Sequence, residues 1–193
     1  MVSMIADPID EIFAIFRKFG SLRYGEDVTQ MEHVLQCAHL ARIAGASDAL
    51  VAAALMHDIG QFIDDAGSAA EEFGIDARHE ETGANYLAAY FPEAVTEPVR
   101  LHVEAKRYLC ATKPGYRETL SRASLLSLAL QGGAHTAEEA AAFLALPAAA
   151  DAIHLRRYDD AGKKRGREVP DLESYRPLLQ SLLNKPTRPR RNS

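Results

Sequence analysis

Four histidines and two aspartates are spaced along this chain in a way that could hold metal ions. They are His33, the adjacent pair His57 and Asp58, His79, His102 and Asp159. Imidazole and carboxylate ligands suit iron, manganese, zinc or cobalt, and a set without a thiolate argues against a cysteine-based structural zinc site. Six ligands are too many for one tetrahedral ion. The set therefore indicates two ions with open coordination positions, and the two oxygens of Asp58 could bridge them.

The candidate ligands must be positioned by helices, because the six residues lie on or beside five different predicted helices. Successive histidines of the set are separated by about the length of a helix and its connection, and Asp159 follows much further along the chain. Helix caps and apolar periodicity predict the helices at 30–44, 47–57, 79–90, 93–109 and 147–158. Ligands on different helices of a bundle can converge on one interior point.

The composition predicts a single all-α domain. The chain has 193 residues, of which 47% are hydrophobic, and alanine and leucine dominate, as expected for helices. Further helices are predicted from Asp7-Pro8, from Thr136 with its capping partner Glu139, and over 118–130 and 171–183. We expect one helical bundle of seven to nine helices over 1–184, followed by a basic, disordered tail over 185–193.

Charge and hydropathy exclude several classes of protein. The net charge is −5, which does not suggest a nucleic-acid surface. The apolar runs are short, and residues 1–7 lack the basic region and apolar core of a signal peptide, so we expect neither a membrane span nor secretion. The two cysteines, Cys37 and Cys110, fall inside predicted helices. They are expected to be free thiols in a reducing cytoplasm.

The ordered series of ligands, with His57 and Asp58 in the segment 54–60 (ALMHDIG), resembles the HD-domain superfamily of helical metalloproteins. The resemblance extends over residues 24–159. It implies that the first metal is held by His33, His57, Asp58 and Asp159. It also implies that the second metal is held by Asp58, His79 and His102.

The ligands alone leave the reaction open. Most HD proteins are phosphohydrolases, in which a metal-bound hydroxide attacks phosphorus. A smaller branch, with myo-inositol oxygenase and the HD-type hydroxyphosphonate oxygenases, uses a mixed-valence di-iron pair to cleave C–C or C–P bonds with O2. A hydrolase of a nucleotide or phosphomonoester with zinc, manganese or cobalt is the main alternative. A non-enzymatic ligand sensor is a second, although all six ligand positions are present.

A short loop before the second helix points to the phosphonate branch. Tyr24 and Glu26 precede His33 and resemble a tyrosine and a glutamate of the hydroxyphosphonate oxygenases, with a spacing one residue shorter. The resemblance implies that Tyr24 coordinates the first iron at rest and leaves when substrate binds. It implies that Glu26 meets a cationic nitrogen of the substrate. The alternative is an ordinary solvated loop.

Four further residues are candidates for binding a phosphonate. Lys106 lies four residues after His102, and thus on the same helix face; the alternative is a surface lysine. Ser124 lies on an apolar helix, where a buried hydroxyl needs a partner, unless it bonds its own helix carbonyl. Arg156 could hold a phosphonate through two parallel hydrogen bonds. Gln61 stands where the resembled enzymes have a histidine, and it could still donate a hydrogen bond.

The resemblance therefore implies an iron-dependent oxygenase with two iron ions (Fe2+/Fe3+). Its expected substrate is a small 1-hydroxy-2-(amino or trimethylammonio)ethylphosphonate, which O2 would convert to phosphate and glycine or glycine betaine. Tyr24 and Asp58 are the predicted catalytic residues. Asp160 competes with Asp159 for the last ligand position, and the resemblance favours Asp159. The remaining histidines, His39, His135 and His154, match nothing in the pattern.

Overall fold

The computed structural model describes residues 7–23, 26–63 and 74–184, and these residues form helices and connections without a strand. The described part of the chain holds nine α-helices: α1 (Pro8–Phe19), α2 (Gln30–Ile43), α3 (Asp48–Met56), α4 (His79–Ala88), α5 (Glu93–Thr112), α6 (Arg122–Leu130), α7 (Ala137–Leu144), α8 (Ala149–Ala161) and α9 (Arg176–Leu182). The predicted all-α fold is confirmed. The predicted tail over 185–193 lies outside the described residues, and the boundary at 184 stays a prediction.

The predicted helix starts follow local capping chemistry. The Asp7 side chain accepts from the backbone N–H of Ile9, and the Ser47 side chain caps α3 in the same manner. Thr136 and Glu139 form the predicted capping box of α7. Each cap satisfies backbone N–H groups that the first turn of a helix leaves unpaired.

Two helices, α6 and α9, start a full turn or more later than predicted, and each has a local cause. Residues Arg117–Thr119 form a 3-10 turn instead of the first turn of α6, and the Ser121 side chain then caps that helix. Residues Leu172–Tyr175 likewise form a 3-10 turn before α9. Helix α9 starts with a proline near its first position, where a fixed φ and a missing N–H cost nothing.

The centre of the bundle is α3, whose seven residues from Leu50 to Met56 are all buried. Helices α2, α5 and α8 pack against it, and α8 also packs against both α2 and α5. Helix α4 packs against α5 and against the short turn Ile59–Gln61 that follows α3. Side chains at the end of α3 are therefore placed in the interior.

None of the helices in the described ranges is both long and apolar enough to cross a bilayer.

Candidate active site

Five separate elements bring all six predicted ligands to one place. His33 comes from α2, His57 and Asp58 directly follow α3, and the others come from α4, α5 and α8. His33 Nε2 lies 3.3 Å from His57 Nε2 and 3.4 Å from Asp159 Oδ1. His79 Nε2 lies 3.2 Å from His102 Nε2. The ligands thus form two neighbouring groups.

The carboxylate of Asp58 lies between the two groups. Its Oδ2 is 3.4 Å from His57 Nε2 and 3.6 Å from His33 Nε2. Its Oδ1 is 3.5 Å from His79 Nε2. One oxygen therefore faces each group, as a carboxylate bridging two metal ions requires.

Backbone carbonyls fix the orientation of three of the imidazole rings. The Nδ1 atoms lie within hydrogen-bond distance of carbonyl oxygens: His33 of Gly162 (3.1 Å), His57 of Ala54 (3.0 Å) and His102 of Val99 (2.7 Å). A carbonyl can only accept, so Nδ1 carries a proton in each ring, and Nε2 points into the cluster. In the rings whose Nε2 carries no proton, the lone pair faces other donor atoms, an arrangement that a cation between them stabilises.

The spacing of the ligand atoms fits metal coordination. Ligands at about 2.1 Å from one ion lie roughly 3.0 Å apart at right angles and about 3.4 Å apart in a tetrahedron. The separations within the two groups run from 3.2 to 3.6 Å. The donor atoms, their orientation and their spacing all fit two metal ions.

Charge in the cluster also suits metal binding. Burial would raise the pKa of Asp58, but His57, His79 and His33 outweigh it and hold the pKa of that carboxyl below its usual value. Burial lowers the pKa of His57 and lowers that of His102 further. An ionised carboxylate and neutral imidazoles are the protonation states that bind metals.

His33 differs from the other two rings. Burial opposes a charge there as well, but Cys37 and Asp159 outweigh it and raise the pKa of His33 well above its usual value. A metal ion bound at Nε2 would replace that proton. Cys37 itself is a poor ligand, since burial raises the pKa of its thiol and its Sγ lies 3.9 Å from His33 Nε2, farther than Asp159.

Arg156 contacts both neighbouring aspartates, Asp159 and Asp160, and the two carboxylates lie in different places. Its Nη1 lies 2.6 Å from Asp159 Oδ2, which leaves Oδ1 facing His33. Its Nη2 bonds Asp160, and its Nε donates to the hydroxyl of Tyr116 at 3.2 Å. The structure therefore brings Asp159, and not Asp160, to the cluster. Because all three nitrogens of Arg156 have protein partners, its predicted phosphonate contact stays a prediction.

Gly60 explains how α4 comes close enough to the cluster. A Cβ atom at this position would lie 2.0 Å from the carbonyl oxygen of His79 and 2.7 Å from the backbone nitrogen of Gly83. No side chain fits between these backbones. The glycine after His57 and Asp58 therefore allows His79 to approach Asp58.

A cavity of about 120 Å³ opens directly onto the cluster. Five of the six predicted substrate residues line it: Glu26, Gln61, Lys106, Ser124 and Arg156. The sixth, Tyr24, lies outside the described residues. Val103, Leu126 and Leu130 supply apolar wall. The metal ligands and the predicted substrate contacts thus share one cavity.

Lys106 is buried in this cavity, not on the surface. Its Nζ donates to Ser127 Oγ at 2.8 Å. Burial, with the nearby charge of Arg156, lowers the pKa of Lys106 to about 7. A dianion bound beside Lys106 would favour the protonated, positively charged form of its amine.

Lys163 is a site residue that the sequence analysis missed. Its Nζ lies 2.9 Å from Glu26 Oε1, 3.1 Å from Ser124 Oγ and 3.5 Å from Asp159 Oδ1. Burial alone would lower the pKa of Lys163, but Asp159 and Glu26 outweigh it, and the pKa is raised. Lys163 lies four residues after Asp159, the same spacing that identified Lys106 after His102. The helix predicted over 147–158 ended before Lys163, so the spacing was not applied to it.

The histidines without a place in the pattern lie elsewhere. His135 Nε2 lies 2.7 Å from Glu104 Oε2, and His154 is exposed on α8. Neither lines the cavity.

Comparison with known proteins assigns the chain to a family. The profile of the HD domain matches residues 31–131. The hydroxymethylphosphonate dioxygenase of Gimesia maris is 45% identical over 176 residues, which cover 91% of this chain and 88% of the relative. The chain belongs to the HD-domain family, in its hydroxyphosphonate dioxygenase branch. The predicted resemblance is confirmed.

Two further relatives of this HD-domain protein are similar along nearly its whole length. The 1-hydroxy-2-(trimethylamino)ethylphosphonate dioxygenase (glycine-betaine-forming) of Leisingera caerulea is 43% identical over 178 residues, 92% of this chain and 91% of the relative. An uncharacterised protein of Acanthamoeba polyphaga mimivirus is 32% identical over 190 residues, 96% of this chain and 86% of the relative. Family and geometry together identify a metal-dependent protein. The HD profile ends before Asp159, which the fold of α8 brings to the cluster.

Proposed function

We propose that this chain is an iron-dependent dioxygenase that cleaves the C–P bond of a small 1-hydroxyalkylphosphonate with O2. The observation that carries the proposal is the cavity beside the cluster, where the cationic groups of Lys106, Arg156 and Lys163 surround the hydroxyls of Ser124 and Ser127. Such a cavity suits a small dianion held against the metals. Both dioxygenases among the relatives are named for a hydroxyphosphonate.

Two iron ions would be held by the six ligands. His33, His57, Asp58 and Asp159 would hold the first, and Asp58, His79 and His102 the second. A pair of Fe2+ and Fe3+ would supply the activation of O2. The protein supplies the fixed orientation of the rings, the bridging carboxylate and the exclusion of water.

The cavity residues would orient the substrate. Lys106 and Ser124 would hold the phosphonate, with Gln61 as a further hydrogen-bond donor and Arg156 in contact through Ser124. Glu26 would face the far end of the substrate and meet a cationic nitrogen where the substrate has one. Tyr24 would act at the first metal.

The overall reaction balances with these components alone. One 1-hydroxyalkylphosphonate and one O2 give one carboxylic acid and one phosphate. The C–H and C–P bonds of the hydroxyl-bearing carbon break, and O2 accepts the four electrons. An aminoethyl substrate would give glycine, and its trimethylammonio counterpart would give glycine betaine.

The test is phosphate release by iron-loaded protein, with and without O2. The probes are hydroxymethylphosphonate and racemic 1-hydroxyethylphosphonates that carry a 2-amino or a 2-trimethylammonio group. We expect phosphate and the matching carboxylic acid only when O2 is present. Phosphate release without O2 from ordinary phosphomonoesters, and none from the phosphonates, would instead establish a phosphohydrolase.

A further inference from the structure

The carboxylate of Glu26 already holds a cation supplied by the chain itself. Its Oε1 lies 2.9 Å from Lys163 Nζ and accepts from Ser121 Oγ at 2.7 Å. Glu26 and Lys163 both line the cavity beside the metal cluster. A primary ammonium therefore already stands where the cationic nitrogen of a substrate would have to bind.

The backbone on both sides of Lys163 is fixed by α2. The carbonyl of Gly162 accepts from the ring of His33. The backbone N–H of Lys164 donates to Gln36 Oε1 at 3.1 Å, and Gln36 Nε2 donates back to the carbonyl of Lys164 at 3.0 Å. The side chain of Lys163 is thus directed into the cavity by fixed neighbours.

We propose that Lys163 is a specificity-determining residue, an internal substitute for a substrate ammonium that shifts the preference of the cavity toward 1-hydroxyalkylphosphonates without a positive charge. A substrate without a cation leaves the contact between Lys163 and Glu26 intact. A cationic substrate must displace the Lys163 ammonium from Glu26 or bind beside it. The inference rests on the proposed function, since it concerns how the same cavity recognises hydroxyphosphonates.

Lys163 also stands to contribute directly to phosphonate binding. Its Nζ contacts Ser124 Oγ at 3.1 Å, and Arg156 Nη2 contacts the same hydroxyl oxygen at 3.4 Å. A dianion beside Ser124 would meet both cations. Removing the charge of Lys163 therefore weakens the binding of a hydroxyphosphonate that lacks an ammonium group and, by freeing Glu26, favours the binding of one that carries it.

The experiment compares two probes, hydroxymethylphosphonate and 1-hydroxy-2-(trimethylammonio)ethylphosphonate. It measures oxygen-dependent kcat/KM for each, and the Kd of each by anaerobic calorimetry with the iron-loaded protein. In Lys163→Met we expect kcat/KM for the trimethylammonio probe, divided by kcat/KM for hydroxymethylphosphonate, to rise by at least about 10-fold, the size of one charge-assisted hydrogen bond. Lys163→Arg keeps the charge and should stay close to the parent ratio.

Two controls keep the test specific. Lys164→Met changes the exposed neighbour without a change to its backbone bonds and should leave the ratio unchanged. Glu26→Gln in the Lys163→Met background should remove the gain for the cationic probe. Thermal melting followed by circular dichroism checks that each variant is folded.

The outcomes separate this inference from the proposed function. Oxygen-dependent turnover, with the same ratio of kcat/KM values for the two probes in the parent protein and in Lys163→Met, would overturn only the role of Lys163. Phosphonate binding that depends on Lys163, without oxygen-dependent turnover, would overturn the dioxygenase function and keep the role of Lys163 in recognition. Neither binding nor turnover would overturn both.

Discussion

The two sides of the cavity are stabilised in different ways. On the metal side, three rings are held by backbone carbonyls, and the donor atoms face one another. On the phosphonate side, defined here as Glu26, Lys106, Ser124 and Lys163, the polar side chains pair with other side chains. The donor atoms of the metal side therefore suit a bound cation, whereas the side chains of the phosphonate side already pair with one another.

The difference indicates which parts move when ligands bind. A ring bonded to a helix carbonyl keeps its orientation whether or not metal is present, so the metal side is preorganised. A lysine paired with a glutamate or a serine can exchange that partner for a substrate oxygen at small cost. We infer that affinity for metal depends on the fold and that substrate selectivity depends on a few exchangeable pairs.

Replacement of Asp58, the carboxylate that we propose bridges the two metals, should have the largest effect. In Asp58→Asn both metal groups lose a charged oxygen, so we expect loss of at least one metal ion. A metal centre supplies several kcal/mol of transition-state stabilisation, and the loss should lower oxygen-dependent kcat by about 1,000-fold or more. Metal content by mass spectrometry and phosphate release check both effects.

The exposed His154 provides the control for that experiment. His154→Asn removes an imidazole from α8 without touching the cavity and should retain both metals and full activity. An Asp58→Asn protein with two metal ions per chain and parent activity would contradict the bridging role.

Removal of Arg156 should mainly affect stability. Its buried guanidinium pairs with the buried Asp159 and the half-buried Asp160, and Arg156→Met would remove this partner from both carboxylates. Breaking a buried ion pair costs about 3–5 kcal/mol, which denaturant unfolding of the metal-free protein measures. The exposed neighbour provides the comparison, since Arg157→Met should stay within about 0.5 kcal/mol. Equal unfolding free energies for the two variants would show that Arg156 does not stabilise the site.

The pH dependence of substrate binding tests the phosphonate side, with the smallest effect. The pKa of Lys106 is about 7 in the unliganded protein, and a bound dianion would raise it. Binding then takes up a proton above that pKa, so affinity should fall as pH rises through the range from 7 to 9, by at most about tenfold per pH unit. Anaerobic calorimetry with hydroxymethylphosphonate at several pH values measures the slope.

The Lys106→Met variant should bind hydroxymethylphosphonate more weakly, and its affinity should fall less steeply as pH rises. The ionisation of the phosphonate itself affects the parent protein and the variant equally. The difference between their two slopes therefore measures the contribution of Lys106. Identical slopes would remove Lys106 from the phosphonate contacts.

Much of the metal side could be predicted from the sequence, because its information is local. Caps such as Ser47 and Thr136 fix where helices start, and helix periodicity then fixes which residues share a face. The segment of His57 and Asp58 identifies the rest of the ligand set by resemblance. The structure brings together all six residues so chosen.

One residue of the phosphonate side could not be predicted, because it lies beyond the end of a helix. Lys163 follows the end of α8, where periodicity no longer says which way a side chain points. The partners of Arg156 also depend on Tyr116, which is distant in sequence and reaches the site through tertiary packing. A residue type can suggest an anion contact, but its competing protein partners are visible only in three dimensions.

The inward-facing donor atoms on the metal side also affect how fast the protein is degraded in a cell. A bound metal stabilises their arrangement, so the free energy of metal binding is also free energy of folding. Newly made chains that find no metal are less stable and open more often. Proteases cleave opened chains first, and the abundance of the protein then follows the metal supply, even before any substrate is present.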